Sequence, residues 1–240
     1  MTLRREVDRL RHHVRRPLAN TQYLWDAAMY VRSAKRATLA RHDTALVMEG
    51  FLRSGNTFSV AAFIVANGPD LHIGRHLHGA QHVVRAVRLA RPTVVLVRRP
   101  RDAVLSYLVR RPTLTPADGL MEYLDFYRTA WQARDGFVVG LFEEVIKDFG
   151  VVIARVNRRF GTAFASFDAT AENQERAFAL VEEMNKLECL GEVVETHVGR
   201  PSASRQQRKA ELESLLEDPR AARLLQEADA LYEQYAARAT

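Results

Sequence analysis

Residues 45–66 read ALVMEGFLRSGNTFSVAAFIVA, and this stretch decides the fold class that the sequence predicts. Its first part is a near-continuous apolar run, typical of a strand buried on both faces. A short loop with Gly55 follows, and residues 58–66 then predict a helix. Because the first N–H groups of a helix lack intrahelical partners, a loop placed there can bind a phosphate or a sulfate. A plain strand-to-helix turn, capped by serine or threonine, is the alternative interpretation of this stretch taken alone.

The loop itself contains residue types that bind oxyanions. Arg53 follows the strand, and its planar, forked guanidinium can donate two N–H groups to one phosphate or sulfonate. The residues predicted to surround the anion are Ser54, Gly55, Asn56 and Thr57. The stretch therefore predicts an anion site at the start of the helix.

A second strand, loop and helix repeats this arrangement. Residues 93–97 predict another buried strand, which runs directly into RRPRDAVLSYLVRR at 98–111. Arg98 should lie at the end of this strand and Ser106 one turn inside the following helix. Two such units, with a helix between them, imply a parallel sheet whose loops share one edge, where open α/β sheets bind ligands. We therefore expect an α/β fold of three αβα layers around a central, mainly parallel sheet.

The rest of the chain divides into an arm and a domain. Residues 1–43 are expected as a basic helical arm or cover, and residues 44–240 as one α/β domain. The arm begins with a predicted amphipathic helix at 3–16. The other predicted elements are helices at 81–90, 117–131, 143–160, 170–186 and 210–235, the last interrupted at Pro219, and a short strand at 136–142.

Composition is that of an ordinary globular protein, with 47% hydrophobic residues and a single cysteine, Cys189, which cannot form an internal disulfide. The apolar run at 58–66 is too short to cross a bilayer, so we expect a cytoplasmic protein.

The net charge of +6 arises within residues 1–45, where ten Lys or Arg face four Asp or Glu. This basic arm is interpreted either as a solvated helix face or as a contact surface for an anionic membrane or another polyanion.

The loop FLRSGNTFS, at positions 51–59, resembles a motif of the sulfotransferases that use 3′-phosphoadenosine 5′-phosphosulfate. In that family a pattern like Lys-Ser-Gly-Thr-Thr-Trp, between a strand and a helix, binds the 5′-phosphosulfate. Arg53 stands at the position of the lysine, Asn56 at that of the first threonine and Phe58 at that of the tryptophan. The resemblance extends over about residues 44–235 and implies a P-loop NTPase-like sulfotransferase fold, in a short member of bacterial type.

Two more segments are similar to nucleotide-binding parts of that family. RRPRDAVLS at 98–106 resembles the signature that binds the 3′-phosphate, with Arg98 and Ser106 at the matching positions. LFEEVIKDFG at 141–150 resembles a strand and helix near the adenine, and Phe142 stands where an aromatic residue approaches that base. The resemblance thus implies that these residues bind the nucleotide.

The segment GRHLHG at 74–79 is similar to the turn that carries the family's catalytic histidine. His76 occupies that position, about twenty residues before the 3′-phosphate arginine, and His78 is the competing candidate. Gly74 stands where the family usually has a lysine, so Arg75 is the residue expected to supply that charge.

A late basic loop, GRPSASRQQRK at 199–209, resembles the one that closes over the nucleotide in that family. Arg200, Ser204 and Arg205 are its candidate contacts. As in the other segments, the expected role is implied by the resemblance.

The resemblance implies transfer of a sulfuryl group from 3′-phosphoadenosine 5′-phosphosulfate to a hydroxyl or amine of a small molecule, sugar or lipid, with 3′-phosphoadenosine 5′-phosphate (PAP) as product and no metal required. Arg53 and the loop N–H groups would hold the 5′-phosphate and the departing oxygen. His76 would accept the proton of the acceptor as general base. Arg98 and Ser106 would bind the 3′-phosphate, and aromatic residues of the helix at 117–131 would line the acceptor pocket.

Two other functions remain open from the sequence. A P-loop kinase or NTPase shares the strand, loop and helix, although this loop lacks the Gly-Lys-Ser/Thr ending that binds nucleotide phosphates and Mg²⁺. A non-catalytic protein could instead bind a polyanion through its basic arm and basic loop. We expect no nucleic-acid partner, and the sequence predicts neither the acceptor nor the oligomeric state.

Overall fold

Four strands form the centre of the fold. The computed structural model describes residues 36–188 and 211–239, together with Trp25 and Met29. The strands are β1 Leu46–Gly50, β2 Ile73–Arg75, β3 Thr93–Val97 and β4 Val138–Leu141. They lie side by side in the order β2-β1-β3-β4, and every pairing is parallel. All four carboxyl ends therefore meet at one edge of the sheet, as the sequence predicts for the loops of the expected anion site.

Helices connect the strands and cover the sheet. They are α1 Asn56–Asn67, α2 Ala80–Arg88, α3 Pro100–Arg110, α4 Pro116–Trp131, α5 Phe142–Lys147, α6 Phe149–Phe160, α7 Ala171–Glu188 and α8 Pro219–Ala236. Two short 3₁₀ helices, Arg134–Gly136 and Ser214–Glu217, precede β4 and α8.

The sheet separates two hydrophobic cores, because successive residues of a strand point to opposite faces. Val95 and Val97 of β3 pack with α2, α3, α4 and α8 in one core. Val94 and Leu96 of the same strand pack with α1, α6 and α7 in the other. The predicted α/β fold of three αβα layers around a parallel sheet is therefore confirmed.

Several predicted elements are found close to their expected bounds. Strand β3 covers the predicted residues 93–97, and α4 begins one residue before the predicted helix. Its start is fixed by a reciprocal cap, in which Thr115 Oγ1 accepts from the Asp118 N–H at 3.2 Å and Asp118 Oδ2 accepts from the Thr115 N–H at 3.0 Å.

Strand β2 is absent from the sequence predictions. It has only three residues with glycine in the middle, which is too short to show the alternation that marks a strand. A Cβ on Gly74 would lie 2.9 Å from Val47 Cγ2 and 3.3 Å from the His82 ring. Glycine thus lets this edge strand pack closely against β1 and α2. Its hydrogen bonds are made with β1, which lies in a distant part of the chain.

The prediction of a single helix at 143–160 is wrong, because the segment forms two helices, α5 and α6. They are separated at Asp148, whose backbone is extended and whose carboxylate accepts the Gly150 N–H at 2.9 Å. This side chain caps α6, and the extended backbone of the same residue ends α5. The preceding strand also begins two residues later than predicted, at Val138.

The predicted N-terminal arm, residues 1–43, lies outside the described residues except for Trp25, Met29 and residues 36–43. The helix predicted at 3–16 is among the residues that the structure does not describe. Within the described part of the chain, no helix is both long and apolar enough to cross a membrane.

Candidate functional site

The loop after β1 leads directly into α1 at the carboxyl edge of the sheet. Gly55 precedes the helix with φ 89° and ψ 8°, a left-handed conformation that glycine adopts without a steric penalty. A Cβ at this position would lie 3.3 Å from Cδ2 of Phe142. The loop thus runs beside the first residue of α5, and the N-terminus of α1 lies at the sheet edge where the anion site was predicted.

Arg53 joins the two strand–loop–helix units. Its Nε donates to Ser106 Oγ at 3.0 Å, and its carbonyl accepts from Arg98 Nη1 at 3.0 Å. The structure therefore brings together Arg53, Arg98 and Ser106, which lie up to 53 residues apart in the chain.

Arg98 is half-buried beside this loop. Its guanidinium carbon lies 3.9 Å from the centre of the Phe142 ring, a cation–π distance, and its carbonyl accepts from the Tyr123 hydroxyl at 2.9 Å. Burial lowers the pKa of Arg98, while the nearby Asp102 and Glu143 act in the opposite direction. The guanidinium is thus held in a partly desolvated position, where an anion would interact with it more strongly than in water.

Two predicted anion ligands use their side chains to hold the loop. Ser54 is fully buried, and its hydroxyl lies 3.2 Å from that of Tyr127. Asn56 Nδ2 donates to the Phe51 carbonyl at 3.0 Å, and its buried Oδ1 accepts no hydrogen bond from any residue that the structure describes. Because these side-chain groups face the protein, the donors that Asn56 and its neighbour Thr57 would offer to an anion are the N–H groups of the first turn of α1.

Phe58 lies on the other side of α1. Its ring centre is 6.2 Å from that of Phe167 and 5.5 Å from that of Phe178. Phe58 therefore packs in the core under α7, while Phe142 contacts both Gly55 and Arg98.

The predicted catalytic histidine follows β2. His76 and His78 are both half-buried, and their rings lie 6.0 Å apart in a stacked arrangement. Their backbones have φ 56° and 49°, and Arg53 in the neighbouring loop has φ 71°. Among the non-glycine residues described, only Ala90 also has a positive φ. Three left-handed residues thus cluster at the candidate site, a kind of strain often found where geometry serves function.

A buried carboxylate holds the histidine turn. Glu49 of β1 is fully buried, and its two oxygens accept the N–H groups of Leu77 at 2.9 Å and of His78 at 3.1 Å. Glu49 Oε1 also lies 2.9 Å from His82 Nδ1. One side chain thereby ties β1 to both the turn and the helix that follows it.

The hydrogen bonds fix the tautomer of His82. Its Nε2 accepts the Ala40 N–H at 2.8 Å, so the ring proton must be on Nδ1, where it is donated to Glu49. His82 is then a neutral donor. Burial alone would raise the pKa of Glu49. The hydrogen bonds from His82 and the Leu77 N–H, and the electrostatic effect of the neighbouring His78, outweigh burial and hold the pKa of Glu49 below its usual range.

Trp25 completes the packing around the turn. Its indole stacks on His82 with ring centres 5.9 Å apart, and it packs with Leu77. A Cβ on Gly79 would lie 2.7 Å from Trp25 Nε1, so the turn and the indole touch closely. A residue of the predicted arm therefore contributes to the walls of the histidine turn.

Sequence reasoning missed Glu49, His82 and Trp25 as parts of this site. The one available signal was Glu49 itself, a charged residue inside an apolar strand, since such a residue is rarely buried without a partner. Arg200, Ser204 and Arg205, the predicted contacts of the late basic loop, lie outside the described residues. In the part of the chain that the structure describes, no group of three or more His, Cys, Asp or Glu could hold a metal ion.

Comparison with known proteins gives structural similarity without a match in sequence. No family model matches the sequence, and no curated protein does. The solved structures similar to this chain include a mouse sulfotransferase, SULT7A1, complexed with PAP. It is 14% identical, with a TM-score of 0.40, over 81% of this chain and 91% of that chain. At this distance the similarity assigns neither a family nor a function.

Proposed function

We propose that this protein is a sulfotransferase that moves the sulfuryl group of 3′-phosphoadenosine 5′-phosphosulfate to a hydroxyl or amine acceptor. The observation that carries the proposal is the junction of two arginines from separate units at one sheet edge. Arg53 contacts Ser106, and Arg98 contacts the Arg53 carbonyl. One ligand with two phosphate groups would find both cations at this edge of the sheet.

In this proposal the loop after β1 holds the 5′-phosphate. The N–H groups of Asn56 and Thr57 and the Arg53 guanidinium would stabilise charge on the bridging oxygen as the sulfur–oxygen bond breaks. Arg98 and Ser106 would bind the 3′-phosphate, and Phe142, which covers Arg98, would approach the adenine. The late basic loop, with Arg200, Ser204 and Arg205, would close over the nucleotide.

His76 is the proposed general base. The acceptor oxygen or nitrogen attacks the sulfur, the bond from sulfur to the 5′-phosphate oxygen breaks, and the acceptor proton moves to the His76 imidazole. PAP leaves with the electron pair of the broken bond. The turn that holds His76 is anchored by Glu49 through the N–H groups of Leu77 and His78. This anchoring would keep the base at a fixed position, which matters because proton transfer requires hydrogen-bond reach.

The test is transfer of labelled sulfuryl from the donor to a panel of phenols, sugars and amines. His76→Asn is the informative variant, because asparagine tolerates the left-handed backbone of residue 76 better than most residues. We expect the transfer rate to fall about 10²- to 10⁴-fold, the usual contribution of a general base, with PAP affinity unchanged. His78→Asn is the matched control. Loss of transfer in His78→Asn but not in His76→Asn would assign the base to His78, and a wild-type chain inactive on every acceptor class would contradict the proposal.

A further inference from the structure

A cleft of about 410 Å³ opens at the opposite edge of the sheet from the candidate site. Phe137 and Val138 lie where β4 begins, at the amino-terminal edge of the parallel sheet, and line the cleft with Ala237 after α8. The remaining lining residues are Arg155, Arg158, Arg159 and Arg238. The volume lies in the range of small-molecule sites, and the lining combines an apolar part with several guanidinium groups.

Three of these arginines are oriented by backbone carbonyls, and one of them is Arg155, whose Nη1 donates to the Val139 carbonyl at 2.6 Å. Arg159 Nη2 donates to the Asp135 carbonyl at 2.6 Å, and Arg238 Nη2 donates to the Arg134 carbonyl at 3.0 Å. A carbonyl fixes the direction of a guanidinium but leaves its full charge, whereas a carboxylate would neutralise it. The cleft thus has oriented donors before any ligand arrives, and such preorganisation lowers the cost of binding.

Carboxylates compensate only part of the charge. Arg155 is paired with Glu144 at 2.8 Å in a half-buried contact. Arg238 meets Asp135 at 3.0 Å, but the Asp135 side chain is 81% exposed, so this pair is weak. Arg158 is exposed and has no carboxylate partner within the described residues.

The balance of charge stays positive after the helix ends are included. Basic residues often lie at helix C-termini, where the dipole carries about half a negative charge, and α6 and α8 both end near this cleft. Four guanidiniums face two carboxylates and two such ends, which leaves about one positive charge in excess. Capping of the two helices therefore does not account for all of the arginines.

We propose that this cleft is a binding site for a small organic oxyanion, such as a phosphate or sulfate monoester. Its anionic group would contact Arg158, Arg159 and Arg238, and its apolar part would lie against Phe137, Val138 and Ala237. Planar guanidiniums bind oxyanions through paired hydrogen bonds, and three of them match the three terminal oxygens of a phosphate or sulfate monoester better than the two oxygens of a carboxylate. The site is independent of the sulfotransferase proposal, since it shares no residue with the candidate site.

The experiment reads each arginine separately. The full chain is labelled with phenylglyoxal, which modifies accessible arginines, and the rate at each site is followed by mass spectrometry with and without phenyl phosphate or phenyl sulfate. At a ligand concentration about ten times Kd, labelling at Arg158 and Arg159 should slow about tenfold. Arg220 and Arg223, exposed on α8, should label at an unchanged rate. The better of the two ligands identifies whether the natural group is a phosphate or a sulfate.

A variant pair sharpens this test. In Arg158→Ala/Arg159→Ala, the ligand should no longer slow labelling at Arg238, while PAP binding at the other edge stays the same. The control, Arg220→Ala/Arg223→Ala, removes the same charge from exposed positions and should keep the protection of Arg238. Equal slowing at Arg220 and Arg223, or no slowing at Arg158 and Arg159, would overturn the proposed site. Either result would leave the sulfotransferase proposal untouched.

Discussion

The loop after β1 and the turn after β2 end at the same edge of the sheet, but different contacts hold them. The backbone of the loop is stabilised locally, since the Ser54 N–H and Asn56 Nδ2 both donate to the Phe51 carbonyl. The turn is held from a distance, by Glu49 about 28 residues earlier in the chain. The backbone of the loop is therefore fixed within its own segment, although Arg98 and Ser106 from the second unit also contact it, whereas the turn of the proposed base depends on a buried carboxylate outside its segment.

Among the variants that test this comparison, Glu49→Leu should cause the largest loss of unfolding free energy. Leucine fills the space but accepts no hydrogen bond, so the N–H groups of Leu77 and His78 and the Nδ1–H of His82 would be left buried without their acceptor. We expect unfolding in urea to show a loss of about 3–5 kcal/mol. Glu49→Gln, which keeps one acceptor oxygen, should lose less. A loss below about 1 kcal/mol in Glu49→Leu would show that the turn does not depend on this side chain.

Arg98→Ala should have the next largest effect, and it tests the binding of PAP at the loop. Removing a partly buried cation from the proposed 3′-phosphate site should weaken PAP binding by about 2 kcal/mol, or about thirtyfold in Kd, as measured by calorimetry. The control is Arg99→Ala, because Arg99 is exposed and its contact with Glu233, at 3.8 Å, is distant from the loop. Equal losses in the two variants would mean that general charge, not a site at Arg98, binds the nucleotide.

A smaller effect is expected for Asn56→Ala, which tests the local nature of the loop. The Phe51 carbonyl would lose its hydrogen bond from Nδ2, and the expected loss of unfolding free energy is about 1–2 kcal/mol. Thr57→Ala, at the half-buried next position, should stay within about 0.5 kcal/mol. If Asn56→Ala cost as much as Glu49→Leu, the contrast between the loop and the turn would disappear.

The smallest expected effect is a change with pH in the stability that Glu49 contributes. Because the pKa of folded Glu49 is below the ordinary value of 4.5, its stabilising contribution is fully present above that value and is lost as the pH falls through the folded pKa. The stability difference between the wild type and Glu49→Gln should therefore be constant near neutral pH and narrow in acid, as measured by urea unfolding at several pH values. A difference that widened in acid would contradict this sign.

The sequence predicts best what short segments determine by themselves. The apolar run of β3, the glycine loop before α1 and the spacing of Arg98 and Ser106 all depend on neighbouring residues, and the parallel sheet follows from the order of elements. The start of α6 could also have been predicted locally, since Asp148 directly precedes it and Asp is a typical helix cap.

What the sequence could not predict depends on contacts between distant residues. Strand β2 is defined by its pairing with β1, and a three-residue segment has no pattern of its own. The histidine turn depends on Glu49, and His82 on the Ala40 N–H, 42 residues away. Such contacts exist only once the sheet has formed, so no window of local sequence contains them.

We propose above all that the sheet edge at Arg53 and Arg98 binds a nucleotide with phosphates at its 3′ and 5′ positions. Calorimetric titration of the wild-type chain with PAP, and separately with ATP and Mg²⁺, tests it most directly. We expect tighter binding of PAP, with an affinity that Arg98→Ala lowers. Tighter binding of ATP with Mg²⁺ would contradict it and favour a P-loop kinase or NTPase.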